Sequence, residues 1–201
     1  MDGIGVPAEV GTIGRPGNGN GHTGPSLTPI LEQVQRTCEL ASQHGTQLSV
    51  VERASLLHDV GQFAIRSSIL YKTTSLSEEE WAEMRKHPDI GWNMLRQIET
   101  LEGAAEIVRA HHEHYDGSGY PCGLRGDEIP RGARIFAVAD AFDAITSDRP
   151  YRDARSHIVA VEEIMANSGS QFDPQVVESL LRALGYERSA APDGVAEAGV
   201  A

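Results

Sequence analysis

The stretch RGARIFAVADAFDAITS, residues 131–147, carries the reading of the whole chain. It is predicted as one helix, running from about Arg131 to Ser147, and no long alternating segment here or elsewhere competes with helix. The fold class is therefore all-α. Within the stretch, Asp140 stands among Ile135, Phe136, Val138, Ala139 and Phe142. A bare carboxylate in such company is costly to bury, so it requires a cation or strong donors; capping a neighbouring helix would serve as well.

Upstream, Ile30, Leu31, Val34, Cys38 and Ala41 recur at three- and four-residue steps as far as Gly45, which describes a first helix. Ser49 with Glu52 forms a capping-box pattern that opens a second helix, carrying Ala54, Leu56 and Leu57 into HDVG at 58–61. Ser77 with Glu80 repeats the pattern for a helix through Trp81 and Met84 to His87, where Pro88 can take the first position of the next. Another helix is expected from about Gly103 to His112. Beyond Ser147, HIVAVEEIMAN at 157–167 makes one more, and Asp173-Pro174 supplies an N-cap followed by proline for the last. Residues 1–26, dense in Gly and Pro, and residues 188–201 read as disordered tails around a single domain at 27–187.

A formal charge of −12 over 201 residues argues against a general binder of nucleic acid or membrane surfaces, since phosphate backbones are held mainly by Lys and Arg. Any phosphate ligand must meet local positive charge. Two cysteines, Cys38 and Cys122, lie far apart and suggest neither a disulfide framework nor a zinc knuckle. With no membrane-length apolar run and no signal-peptide layout, the expectation is a cytoplasmic protein.

His58, His87 and the pair His111-His112 each fall at a predicted helix end. A histidine closing a helix bonds free carbonyls and suits the dipole, so that role stands beside a ligand role. Taken with Asp59 and Asp140, however, they form a mixed imidazole and carboxylate set suited to iron, manganese, zinc or related ions. Six ligands exceed what one tetrahedral ion needs, which points to two ions with Asp59 as bridging carboxylate, and so to phosphodiester chemistry. Arg149 and Arg152, in SDRPYRDAR, offer forked phosphate donors or form a solvated surface pair. Asp143, one turn past Asp140, could orient an arginine, contact a base or anchor the helix end.

The segments LLHDVG, HPDIGWNML, HHEHYDGSGYPCGLRGDEIP, ARIFAVADAFDAITSDRPYR and FDPQVV, in this order, resemble the HD-GYP subgroup of the HD-domain metal-dependent phosphohydrolases over about residues 50–180. The resemblance implies an α-helical HD-domain bundle with a Gly- and Pro-rich GYP loop around a two- or three-metal centre. It implies hydrolysis of cyclic di-GMP to pGpG or GMP in bacterial signalling. It assigns His58, Asp59, His87, His111, His112 and Asp140 to metal, with Asp59 bridging. Arg149, Arg152 and nearby Asp143 are assigned to substrate, and Tyr120 and Pro121 to the loop beside the site. Two divalent ions are expected, iron or manganese first, with zinc, magnesium, nickel or cobalt as alternatives. Partners implied are GGDEF-type cyclases and a sensor or response regulator, expected to act in trans or through the N-terminal tail because none precedes the unit.

Two departures set the alternative. HDVGQ replaces the usual HDxGK, so Gln62 stands where a lysine would meet substrate phosphate near the metals. The helix SLTPILEQVQRTCELA lacks the histidine usual upstream of HD; His22 is cut off by Gly24, Pro25 and Pro29, and Glu32 is the remaining oxygen candidate. A degenerate domain that binds the nucleotide or a partner without cutting is the competing expectation.

Overall fold

The computed structural model describes residue 43, residues 48–148 and residues 153–186. They form α1 (Leu48–Leu57), a 3₁₀ turn (Val60–Ala64), α2 (Ser67–Leu70), α3 (Glu78–Met84), α4 (His87–Leu95), α5 (Glu102–Ala110), α6 (Arg131–Thr146), α7 (His157–Ala166) and α8 (Pro174–Ala183). Short 3₁₀ turns at Glu99–Leu101 and Gly126–Glu128 precede α5 and α6. Among the described residues there is no strand, only one isolated bridge between Ser168 and Phe172. No described helix is long and apolar enough to cross a membrane. The expected first helix with Glu32, both tails, and Arg149 and Arg152 lie outside the described residues.

The 131–147 stretch is the α6 helix, and it is the axis of the molecule. Ile135, Phe136, Val138, Ala139 and Phe142 are all buried, and α5, α7 and α8 pack around them. On one side α1 lies against α5, and α5 against α4, so that a continuous apolar core runs from Val51 and Ala54 through Val108 to Ile164 and Leu180. The helix ends follow local chemistry. Ser77 and Glu80 close a reciprocal capping box, with Glu80 N donating to Ser77 Oγ at 3.3 Å and Ser77 N to Glu80 Oε2 at 2.7 Å. Asp173 caps α8 by accepting from Gln175 N at 2.8 Å, with Pro174 opening the helix. The second predicted capping box is corrected: α1 already includes Leu48 and Ser49, so Ser49 does not start the helix. Leu56, read as part of the apolar face, points outward at 56% exposure, because the buried positions of α1 are Val51, Ala54 and Ser55.

Two ties fix the far side of α6. Arg134 Nη1 donates to Asp127 Oδ1 and to Asp173 Oδ2, both at 2.8 Å, joining the helix to the loop before it and to the cap of α8. The loop after His112 is pinned in turn to residues 170–171, through Asp116 N to Ser170 O at 2.8 Å and Tyr115 N to Gln171 O at 3.1 Å.

Candidate metal centre

Three helix ends converge beside α6. α1 stops at Leu57 and presents His58 and Asp59; α3 stops at Met84 and the chain re-enters helix at His87; α5 stops at Ala110 with His111 as its C-cap. The last carbonyls of a helix lack intrahelical partners. Each histidine fills one of them with Nδ1: His58 to Ser55 O at 2.9 Å, His87 to Met84 O at 2.9 Å, His111 to Val108 O at 2.6 Å. A carbonyl only accepts, so in each ring the Nδ1 proton is the one used, and the neutral ring keeps a bare lone pair on Nε2. The capping role and the ligand role are therefore the two edges of the same imidazole.

Those free edges meet. The ligand atoms of His87, His111 and His112 all lie within 4.8 Å of one another, and His87 Nε2 stands 3.4 Å from His111 Nε2. Burial, then the neighbouring imidazoles, hold His111 and His112 well below the ordinary histidine range, and burial lowers His87. Neutral rings with lone pairs converging at this distance repel unless a cation sits among them. The donor set fits a divalent metal ion on that ground, and the carbonyl bonds behind the rings are the outer support that fixes ligand orientation.

Asp59 connects this cluster to a second group. Its Oδ1 lies 3.5 Å from His87 Nε2, while its Oδ2 lies 3.3 Å from His58 Nε2. Burial works against the ionised form of Asp59, but the His58, His111 and His87 rings keep its carboxyl well below the usual range. Burial likewise opposes charge on His58, yet Asp59 and, behind it, Asp140 raise it to about 9. Asp140 lies on α6, and its charge favours the protonated His58 ring. Phe136 packs beneath, its ring centroid 4.9 Å from that of His58 and 6.0 Å from that of His111.

The 3₁₀ turn after Asp59 holds Gln62, whose N donates to Asp59 O at 2.9 Å. The Gln62 side chain is buried, and its Oε1 has no hydrogen-bond partner among the described residues. Gly61 makes the close approach possible: a Cβ there would fall 2.0 Å from His87 O. Asp143 is buried one turn beyond Asp140 and receives a 3.4 Å hydrogen bond from Ser147 Oγ at the end of α6.

The GYP loop closes over His112. Tyr120 stacks on that ring at 4.9 Å and 21°, and its N donates to His112 O at 3.1 Å, with Pro121 following through a cis peptide. Gly119 has no room for a side chain, since a Cβ would come 2.2 Å from His114 N and 2.5 Å from His112 O. Glu113 secures the return of the loop: Oε1 accepts from Cys122 N at 2.7 Å and Oε2 from Leu124 N at 3.0 Å. At 3% exposure Glu113 is a buried tether. His114 Nδ1 lies 3.0 Å from Ser118 Oγ, and its carbonyl accepts from Gly117 N at 2.8 Å. Missed altogether was Arg85, whose guanidinium lies 5.5 Å from the Tyr120 ring and 5.8 Å from Trp81.

Comparison with known proteins adds the lineage. The HD domain family profile matches residues 18–176. The chain is 46% identical over 159 residues to the cyclic di-GMP phosphodiesterase response regulator RpfG of Xanthomonas campestris, covering 76% of this chain and 42% of that protein. It is 40% identical over 161 residues to the 3'3'-cGAMP-specific phosphodiesterase 2 of Vibrio cholerae, covering 79% of this chain and 31% of that one. The chain thus spans well under half the length of these relatives. A crystal structure of a cyclic GMP-AMP specific phosphodiesterase from V. cholerae shares the fold, with TM-score 0.62 at 21% identity over 78% of this chain and 44% of that one.

Proposed function

The chain belongs to the HD-domain family, and from that premise we propose that it is a metal-dependent phosphodiesterase acting on a cyclic dinucleotide, cyclic di-GMP foremost. The observation that carries the proposal is the double reach of Asp59, one oxygen toward the His87, His111 and His112 cluster and the other toward His58. A carboxylate so placed is built to bridge two ions. We assign one ion to His87, His111, His112 and Asp59, and the other to His58, Asp59 and Asp140. Bound divalent ions, iron or manganese first, would supply Lewis acidity toward the phosphodiester and lower the pKa of water.

The residues of the chain do the rest. The backbone-anchored imidazoles hold their lone pairs in place without reorganisation, which is where electrostatic catalysis gains most. Phe136 packs against the His58 and His111 rings and forms an apolar floor beneath them. Tyr120 and Pro121 wall the side toward the nucleotide. Arg149 and Arg152 are assigned to the substrate phosphates and Asp143 to the same side. Gln62, buried with a free acceptor, offers an amide where the family's lysine would offer a charge, so substrate is held with a lower rate. The place of action is assigned to the cytoplasm, with GGDEF-type cyclases or a separate regulator as partners.

The test is turnover of cyclic di-GMP by the full chain loaded with Mn²⁺ or Fe²⁺. Linear pGpG or GMP should accumulate, disappear with chelator, and form faster in Gln62→Lys. Absence of product under conditions where an intact relative turns over would favour the degenerate, binding-only reading.

A further inference from the structure

Arg85 sits at the end of α3, one turn beyond Trp81 and across from the GYP loop. Its guanidinium lies against two aromatic faces, 5.5 Å from the Tyr120 centroid and 5.8 Å from that of Trp81. The other face of this arrangement is the metal centre, because Tyr120 stacks on His112. Arg85 thus lies two ring contacts from a metal-ligating imidazole, at the rim of the same site.

Two nearby cations are held by carboxylates. Arg66 forms a forked pair with Glu83, and Lys72 pairs with Glu80, both within the α2 and α3 hairpin. Arg85 has no carboxylate partner among the described residues and is exposed. In a chain of net charge −12, an exposed guanidinium on aromatic rings at the rim of the candidate metal centre is placed to meet a ligand there. Aromatic faces stabilise the cation while leaving the in-plane N–H donors free. Two parallel donors match the O6 and N7 acceptors of guanine, whereas adenine offers N7 beside an amino donor and forfeits one bond.

We infer that Arg85, on its Trp81 and Tyr120 platform, reads a guanine base of the substrate and sets the preference of this chain for guanine-containing cyclic dinucleotides. This rests on the cyclic dinucleotide reading above and deepens it. Phosphate recognition by Arg85 is the rival outcome, and charge alone would then suffice.

Equilibrium dialysis of cyclic di-GMP, 3'3'-cGAMP and cyclic di-AMP against the full chain, in the cold and with each nucleotide checked intact, separates them. Arg85→Ala is expected to weaken cyclic di-GMP about tenfold or more, the size of one forked base contact. 3'3'-cGAMP, which can turn its one guanine to the subsite, should follow, while cyclic di-AMP changes less than about twofold. Arg85→Lys should fail to restore guanine preference, because it keeps the charge and loses the fork. An equal loss for all three ligands, or rescue by lysine, would assign Arg85 to phosphate and overturn the inference; so would unchanged binding. Selective binding without hydrolysis would uphold the subsite and defeat only the catalytic reading, whereas no binding of any of the three would defeat both.

Discussion

At the scale of single residues, the centre depends on side chains that serve two masters. His58, His87 and His111 each close a helix with Nδ1 and face the site with Nε2. The sequence showed these residues through their motif and their helix-end positions, because both signals are local. Glu113 was harder to assign. Its partners are the backbone amides of Cys122 and Leu124, nine and eleven positions on, and backbone donors leave no side-chain pattern to read. Yet two hydrogen bonds to a buried carboxylate are worth about 1.5–3 kcal/mol each. Glu113→Ala is therefore expected to lower stability by about 3 kcal/mol in urea unfolding and to speed amide exchange at Cys122 and Leu124. Amides as protected as in the parent protein would refute the tether.

At the scale of elements, the approach of the 3₁₀ turn to α4 sets the metal geometry. Asp59 and Gln62 ride on that turn, His87 starts that helix, and Gly61 is the point of contact. Because the nearest atom to an added Cβ is a backbone oxygen, no rotamer can relieve the clash. Gly61→Ala should cost about 1–3 kcal/mol by overpacking and pull Asp59 away from His87. The expected signature is retained helical circular dichroism with reduced metal content; full metal occupancy in this variant would show that the turn does not position Asp59. Some helix ends were legible from a cap pattern, as at Ser77 with Glu80 and at Asp173-Pro174. They were not where tertiary packing overrides the pattern. Ser49 with Glu52 resembles a cap, but α1 includes both, and its buried face is chosen by contact with α5 rather than by the apolarity of Leu56.

At the scale of the whole molecule, α6 is both core and platform. Its apolar faces pack against α5, α7 and α8, and it carries Asp140, whose charge favours protonation of His58. The apolar setting of Asp140 called for a cation, strong donors or a capping role, and it was the company of Asp59 and four histidines at helix ends that pointed to a metal centre before any geometry. What the sequence could not supply was the spatial order of the ligands, since His58, His87 and His111 come from three helices whose meeting is a property of the packed bundle. The bridging role proposed for Asp59 rests on that meeting. It is tested most directly by counting metal ions per chain by inductively coupled plasma mass spectrometry in the purified protein and in Asp59→Ala. The account predicts two per chain, falling in the variant; one or none in the parent protein, or an unchanged count without Asp59, would contradict it.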